Sequence, residues 1–358
     1  MHTSKQNDSS RPRVVVLGAG YAGLMAALRA AAGAAVTVVS PTSELTERVR
    51  QHELAAGRPS ISHPLAPLLA PRGVAHVPGR ATSIDTARRT VTTDDGRVHA
   101  YDRLVYALGS RTRGPAGDRD GRVFTSETAE STRKRLADGP GKVVVVGGGA
   151  TGIETATELA ERTGWAVELH TAGTVGPSLS ARGRAHVRTV LDRLGVGLTE
   201  GVTVAPDDID ADVVVWNASL VAATELAADA GLRVGPDGRI VVDELLRSVS
   251  HPDVYAAGDA AAAWSAGAGT LRMACATALP TGARAGRNVA AELSGRDPAP
   301  LQFRYWVQCL SLGRDDGLVQ VVGRDDSPRD VVLTGRPAAA VKEQVVRSTV
   351  RAVRWAAR

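Results

Sequence analysis

Two stretches of the chain carry three glycines each, at the spacing of a turn that cradles a pyrophosphate. The first, VVVLGAGYAGLMAALRAAAGAAVTVVS from Val14 to Ser40, supplies Gly18, Gly20 and Gly23. The second, GGGATGIETATELAERTGWAVELHTAG from Gly147 to Gly173, supplies Gly147, Gly149 and Gly152. In such a turn the first glycine permits the tight reversal, the second lets a phosphate approach the backbone, and the third lets helix and strand pack closely. The phosphate charge then rests against the unpaired N–H groups at the helix start. One glycine turn is a modest signal. Two, each in strand, turn, helix, strand context, read as a duplicated mononucleotide-binding unit and predict at least one bound dinucleotide.

An acid at the end of the next strand would hold the adenosine ribose. The first copy ends instead at Ser40, a hydroxyl. The second ends at Thr171, with Glu168 three positions earlier and, by period-two alternation, on the other face. A 2′-phosphate would call for Arg or Lys near Thr171, where only His170 is close and Arg182 and Arg184 lie further on. NADH, NADPH or neither therefore stays open.

The 358 residues suffice for two large units with their own cores. The excess of 43 Lys and Arg over 38 Asp and Glu is spread along the chain with no nucleic-acid motif, so nucleic-acid binding is not expected. Two cysteines, Cys275 and Cys309, fit a reducing compartment and give neither a disulfide framework nor a CxxC pair. The scattered histidines predict no metal site. No stretch is apolar for long enough to span a bilayer, and MHTSKQNDSSRPR reads as a disordered polar leader.

The elements that position the glycines follow from periodicity and punctuation. Beyond the first unit, prolines punctuate a long excursion with a helix expected around Glu44 to Ala56. Residues 79–109 predict small antiparallel strands with a turn at Asp95-Gly96 and then a buried strand in YDRLVYALGS. Arg111 to Gly121 reads as a crossing between domains and Glu127 to Ala137 as a helix. The second unit continues through a helix at Ser180 to Leu194, strands near Val196 to Leu198 and Val202 to Val204, and the buried run ADVVVWNAS. Gly235 to Gly238 is a hairpin turn, and Val242 to Ala262 ends in a strand tipped by Gly258-Asp259. Ala274 to Leu293 is helical with a break at Leu279-Pro280. A mixed tail of strands follows, then a final helix from Ala338 to Arg358.

The ordered set GAGYAG, YDRLVYALGS, GGGATGIE, ADVVVWNAS and HPDVYAAGDAA resembles the pyridine-nucleotide-dependent flavoprotein reductases, most nearly the type II NADH dehydrogenase-like branch without a redox-active disulfide. The resemblance implies an α/β fold of two Rossmann-like three-layer domains, the second inserted in the first, with a small C-terminal α+β region. The expected boundaries are 11–110 with 250–295 for an FAD domain, 111–249 for an NAD(P)-binding-like domain, and 296–358 for the remainder. It implies FAD on the first glycine turn with Tyr21 and Ala22, near Ser40, Ala107 and Gly109, and with Asp259 after Gly258 at the ribityl or phosphate end. It places the nicotinamide nucleotide on the second turn with Thr151, and Glu154 near flavin and nicotinamide. Arg48 and Arg50 of the excursion are candidates for steadying a reduced flavin. Cys275 lies near the flavin-facing helix, as either an inert thiol or a redox group.

Three departures from the family pattern stand out. Thr171 lacks the acid, Ser219 stands where a glycine is common, and CATALPTG has Ala276 and Pro280 where an AQxAxQxG-like segment has glutamines. The expected reaction is hydride transfer from NAD(P)H to FAD, then electron delivery to a quinone or quinone-like small molecule. A flavoenzyme of specialised metabolism with a degenerate nicotinamide site, and a non-catalytic flavin-binding module, are the rival readings. In the final helix Arg347, Arg351, Arg354 and Arg358 share one face and Val346, Val350 and Val353 another, so it either rests on anionic lipid through Trp355 or packs on the body. The expected location is cytoplasmic, with peripheral contact at the inner membrane face and a homodimer left open.

Overall fold

The computed structural model describes residues 11–118 and 121–358. Residues 1–10 of the expected leader, and Arg119 and Asp120 of the expected crossing, lie outside the described residues.

Strand β1 (Arg13–Leu17), helix α1 (Tyr21–Ala30) and strand β2 (Ala35–Ser40) form the first unit. The sheet order is Val254–Ala256, Arg103–Tyr106, β1, β2, Ala75–Pro78, with all neighbours parallel. Val14 to Leu17 are buried because a parallel sheet is covered on both faces, which is why the strand reads as an unbroken apolar run. The duplicate repeats the plan with β3 (Lys142–Val146), a helix at Ala150–Arg162 and β4 (Ala166–Thr171). Its parallel sheet runs Val123–Thr125, Val213–Trp216, β3, β4, Gly197–Glu200.

The chain crosses between the units on a two-stranded antiparallel ribbon, Ser110–Thr112 against Leu220–Ala222. Beyond it Ala227, Leu232, Ile240 and Leu246 enter the first core. The return to the first unit thus comes before the expected boundary at 249. A three-stranded antiparallel sheet (Val307–Ser311, Gly317–Val322, Pro328–Thr334) and a terminal helix make the C-terminal region.

Four local expectations are corrected. The helix around Glu44 to Ala56 is instead a short strand Glu44–Thr46 paired with Ser62–Pro64, a 3-10 turn Arg48–Arg50 and a short helix α2 (Gln51–Ala55). Leu45 is buried between exposed Glu44 and Thr46, the alternation of a strand. Val202 to Val204 form no strand, because Gly201 at φ 73 turns the chain after Glu200. With α3 denoting the duplicate's helix Ala150–Arg162, helix α4 (Cys275–Leu293) is continuous through Pro280. Gly282 and Gly286 seat it against α1 so closely that a Cβ on either would lie 2.1 or 2.2 Å from a carbonyl oxygen of Ala22 or Ala26. That packing holds the helix straight through a residue that cannot donate its backbone bond. Finally, helix α5 (Gly335–Ala357) starts three residues earlier than expected. Its Val346, Val350 and Val353 are buried and its four arginines face solvent, so the valine stripe packs on the body. Among the described residues no helix is long and apolar enough to cross a membrane.

Candidate functional site

The first glycine turn has the geometry the spacing predicts. Gly18 sits at φ 99, and a side chain there would meet the Ala107 carbonyl oxygen at 2.6 Å. A Cβ on Gly23 would fall 1.9 Å from the Gly18 oxygen, whereas a Cβ on Gly20 would meet nothing within 4 Å. Two glycines are therefore demanded by packing, and the middle one faces open space. Gly20 caps α1 without a side-chain hydrogen bond, which leaves the first-turn amides unclaimed by a side chain.

Facing this turn, Gly258 at φ 70 precedes Asp259, and its amide donates to Thr281 Oγ1 of α4 at 3.0 Å. Asp259 Oδ2 accepts from Ser110 Oγ at 2.6 Å, while Oδ1 is buried with no hydrogen-bond partner. An orphaned buried carboxylate oxygen is costly unless something else occupies it. Tyr21 and Ala22 are buried in the core; the Tyr21 hydroxyl accepts from Thr349 of α5, and burial pushes it well above its usual range. Ser40 is buried and donates to the Thr42 carbonyl at 3.1 Å, and Gly109 turns at φ 72 beside the ribbon.

The second turn repeats the cradle. Gly147 lies at φ 122, a Cβ on Gly152 would stand 1.8 Å from the Gly147 oxygen, and Gly149 is open. Thr151 is exposed in the first turn of α3. Thr171 is buried against Gly148, where a Cβ would meet its hydroxyl at 2.6 Å. Glu168 instead pairs with Lys142 and His170, both at 2.9 Å, so it faces away from the turn as alternation predicts. The WNAS loop closes the cradle: Asn217 donates to Thr155 Oγ1 at 3.0 Å and accepts from Ser126 Oγ at 2.8 Å. Ser219 adopts φ 62, the left-handed region in which glycine is unstrained.

Glu154 is buried on α3 and engaged from the tail. Lys342 of α5 reaches its Oε1 at 2.8 Å, and the Ser311 amide donates to it at 3.0 Å. Burial alone would raise this carboxyl, but Lys342, His52 and the Ser311 amide outweigh it and hold the group below its usual range. Burial likewise opposes the Lys342 charge, and Glu154 overcomes it, holding the ammonium above its usual range. His52 of α2 lies against this pair with its Nε2 buried and unpartnered, and burial lowers it toward the neutral ring. One turn along α3, Glu158 is 2% exposed, and burial pushes it up to about 7 despite Arg314 at 2.6 Å.

Arg48 does not stand free: it donates to the Ser110 carbonyl at 2.6 Å and to Glu127 at 2.8 Å, tying the excursion to the ribbon. Arg50, the other candidate of the excursion, is fully engaged within the protein. Its three nitrogens are taken by Glu47 at 3.3 Å, Glu53 at 2.7 Å and Glu343 at 2.9 Å, which makes it a strut between α2 and α5. Cys275 and Cys309 are free thiols. Burial, with Asp259 adding, pushes Cys275 up to about 11, so it is a neutral thiol near pH 7. Lys342 escaped the sequence reading; it sits far along the chain in a tail that reads as amphipathic, and no local signal marks it.

The family model for pyridine nucleotide-disulphide oxidoreductases matches residues 12–282. An NADH dehydrogenase-like protein of Mycobacterium tuberculosis is 35% identical, over 93% of this chain and 92% of its own length. A type II NADH:quinone oxidoreductase of Staphylococcus haemolyticus is 26% identical over 94% of each chain. The sulfide:quinone oxidoreductase structure from Aquifex aeolicus shares the fold, with a TM-score of 0.78 at 19% identity, covering 96% of this chain and 92% of that one. With two glycine turns in tandem parallel sheets and a matched span that takes in both, the chain belongs to the pyridine nucleotide-disulphide oxidoreductase family and is an FAD-dependent NAD(P)H oxidoreductase.

Proposed function

We propose that this chain holds FAD on the first cradle and a nicotinamide dinucleotide on the second, and passes electrons from NADH or NADPH through the flavin to a quinone or quinone-like small molecule. The observation that carries the reading is the buried, unpartnered Oδ1 of Asp259 opposite an open Gly20. A carboxylate there suits the hydroxyls of a ribityl chain, and the open glycine suits a pyrophosphate on the first amides of α1. Gly149, equally open, suits the second dinucleotide. When bound, the flavin supplies acceptance of a hydride and its release as electrons.

The protein's own contribution is orientation and exclusion of water. Asn217 and Ala218 bring the WNAS loop against Gly147 of the second turn, with Asn217 fixed to Thr155. Glu154 keeps a negative charge beside Lys342, a paired group that neither donates a proton readily nor leaves a lone charge buried. Ala276 and Pro280 leave two positions of α4 without the glutamine amides of the family pattern, so neither position selects a quinone carbonyl by hydrogen bonding. That favours a loosely selected quinone-like acceptor over one specific quinone.

The test is an anaerobic titration of the purified yellow protein with NADH and then NADPH, followed at the oxidised flavin band. Rapid bleaching, reversed on adding a soluble quinone, is expected. No bleaching at millimolar nicotinamide cofactor would sink the mechanism, and bleaching without reoxidation by quinones would shift the acceptor to another class.

A further inference from the structure

A cavity of about 290 Å³ opens between α1 and α4, beyond the segment Leu301–Gln302. Its floor is apolar, from Met25, Leu279, Pro280 and Leu301, and its rim carries Arg284 and Arg287. Among the described residues, Arg29, Arg72, Arg284 and Arg287 have no carboxylate partner. Arg29, four residues along α1 from Met25, has a buried Nε with no hydrogen-bond partner and lies 5.2 Å from the Trp355 ring centroid. Burial and the neighbouring Arg287 charge both lower Arg29 and Arg284, so the group repels itself within reach of the cavity.

An apolar floor under unneutralised guanidiniums is complementary to one chemistry. We propose that this cavity binds an amphiphilic organic anion, its acidic head on Arg284 and Arg287 and its apolar body on Met25, Leu279, Pro280 and Leu301. Such a head would relieve the repulsion among the arginines and form charge-assisted hydrogen bonds. The body would cover the half-buried Leu279 and Pro280 beside the buried Met25 and Leu301. The cavity begins one residue from Thr281, whose hydroxyl accepts the amide beside Asp259, so an occupant would rest on the helix that frames the candidate flavin site. The inference concerns binding alone and does not depend on the flavin reading.

Calorimetric titration of the purified holoprotein with octanoate tests it, with octanol and inorganic phosphate as separate arms. Octanoate is expected to bind at one saturable site that weakens with added salt, and octanol and phosphate at least about tenfold more weakly, since each keeps only half of the recognition. Arg284→Gln combined with Arg287→Gln should weaken octanoate by about tenfold or more. If the double variant is misfolded by circular dichroism, Arg287→Gln alone decides, because that side chain is exposed. No saturable octanoate binding at millimolar concentration, binding unchanged in the variants, or phosphate binding as tightly as octanoate would each overturn the proposal, the last by leaving only a bare anion site.

Discussion

At the scale of single residues, Asp259 and Glu158 each carry a prediction, and neither is set by its local sequence alone. Asp259 is legible from the sequence as an acid at a strand tip, yet only the fold shows that one oxygen is held by Ser110 and the other is buried without a partner. Asp259→Ala should release flavin, lowering the ratio of flavin to protein absorbance after dilution, with affinity falling about 10- to 100-fold. Full flavin retention would count against its role. Glu158 gives a pH prediction with a definite sign. In the unfolded chain it loses its proton near 4.5, and in the folded protein burial holds the proton until about 7. The folded state thus binds more protons between those values, and stability falls as pH rises through that window and is level above it. Glu158→Gln removes this loss, so its unfolding free energy in urea denaturation should gain on the parent from pH 4.5 to 7, by up to about 3 kcal/mol. Parallel stability profiles for the two proteins would show that Glu158 is ionised throughout.

Among the elements, α4 is the one whose sequence misleads most. Proline in a helix interior removes a hydrogen bond and costs about 3 kcal/mol, which predicts a break. The helix continues because its glycine face is locked on α1, a contact between segments more than two hundred residues apart. Gly282→Ala and Pro280→Ala therefore act in opposite directions. The first drives a Cβ into the Ala22 backbone and should destabilise by about 3 kcal/mol or more, with loss of bound flavin. The second restores the N–H bond to Ala276 and should stabilise by about 1–3 kcal/mol in urea denaturation. If Gly282→Ala is tolerated, the helix contact is looser than the structure shows. The excursion after β2 misled for a different reason: Glu44 to Ala56 has good helix formers, but Leu45 must be buried alone, and tertiary burial overrides propensity.

For the whole molecule, α5 ties the three parts together. It buries Val350 and Val353 in the first core, carries Lys342 to Glu154 on α3, and sends Glu343 to Arg50 beside α2. Removing residues 335–358 should therefore give insoluble or unfolded protein and not a soluble truncation. A folded, flavin-binding product would show the helix to be an appendage, and loss of liposome association alone would return it to the membrane reading. The sequence by itself determined the duplicated units, the glycines that make each cradle and the missing acid at Thr171, because turns and strand periodicity are local properties of the backbone. Tertiary structure alone decided the Lys342–Glu154 pair, the engagement of Arg50, the unpartnered oxygen of Asp259 and the return to the first core before residue 249. Each of these is a contact between distant segments, and burial and charge pairing depend on what the fold brings alongside.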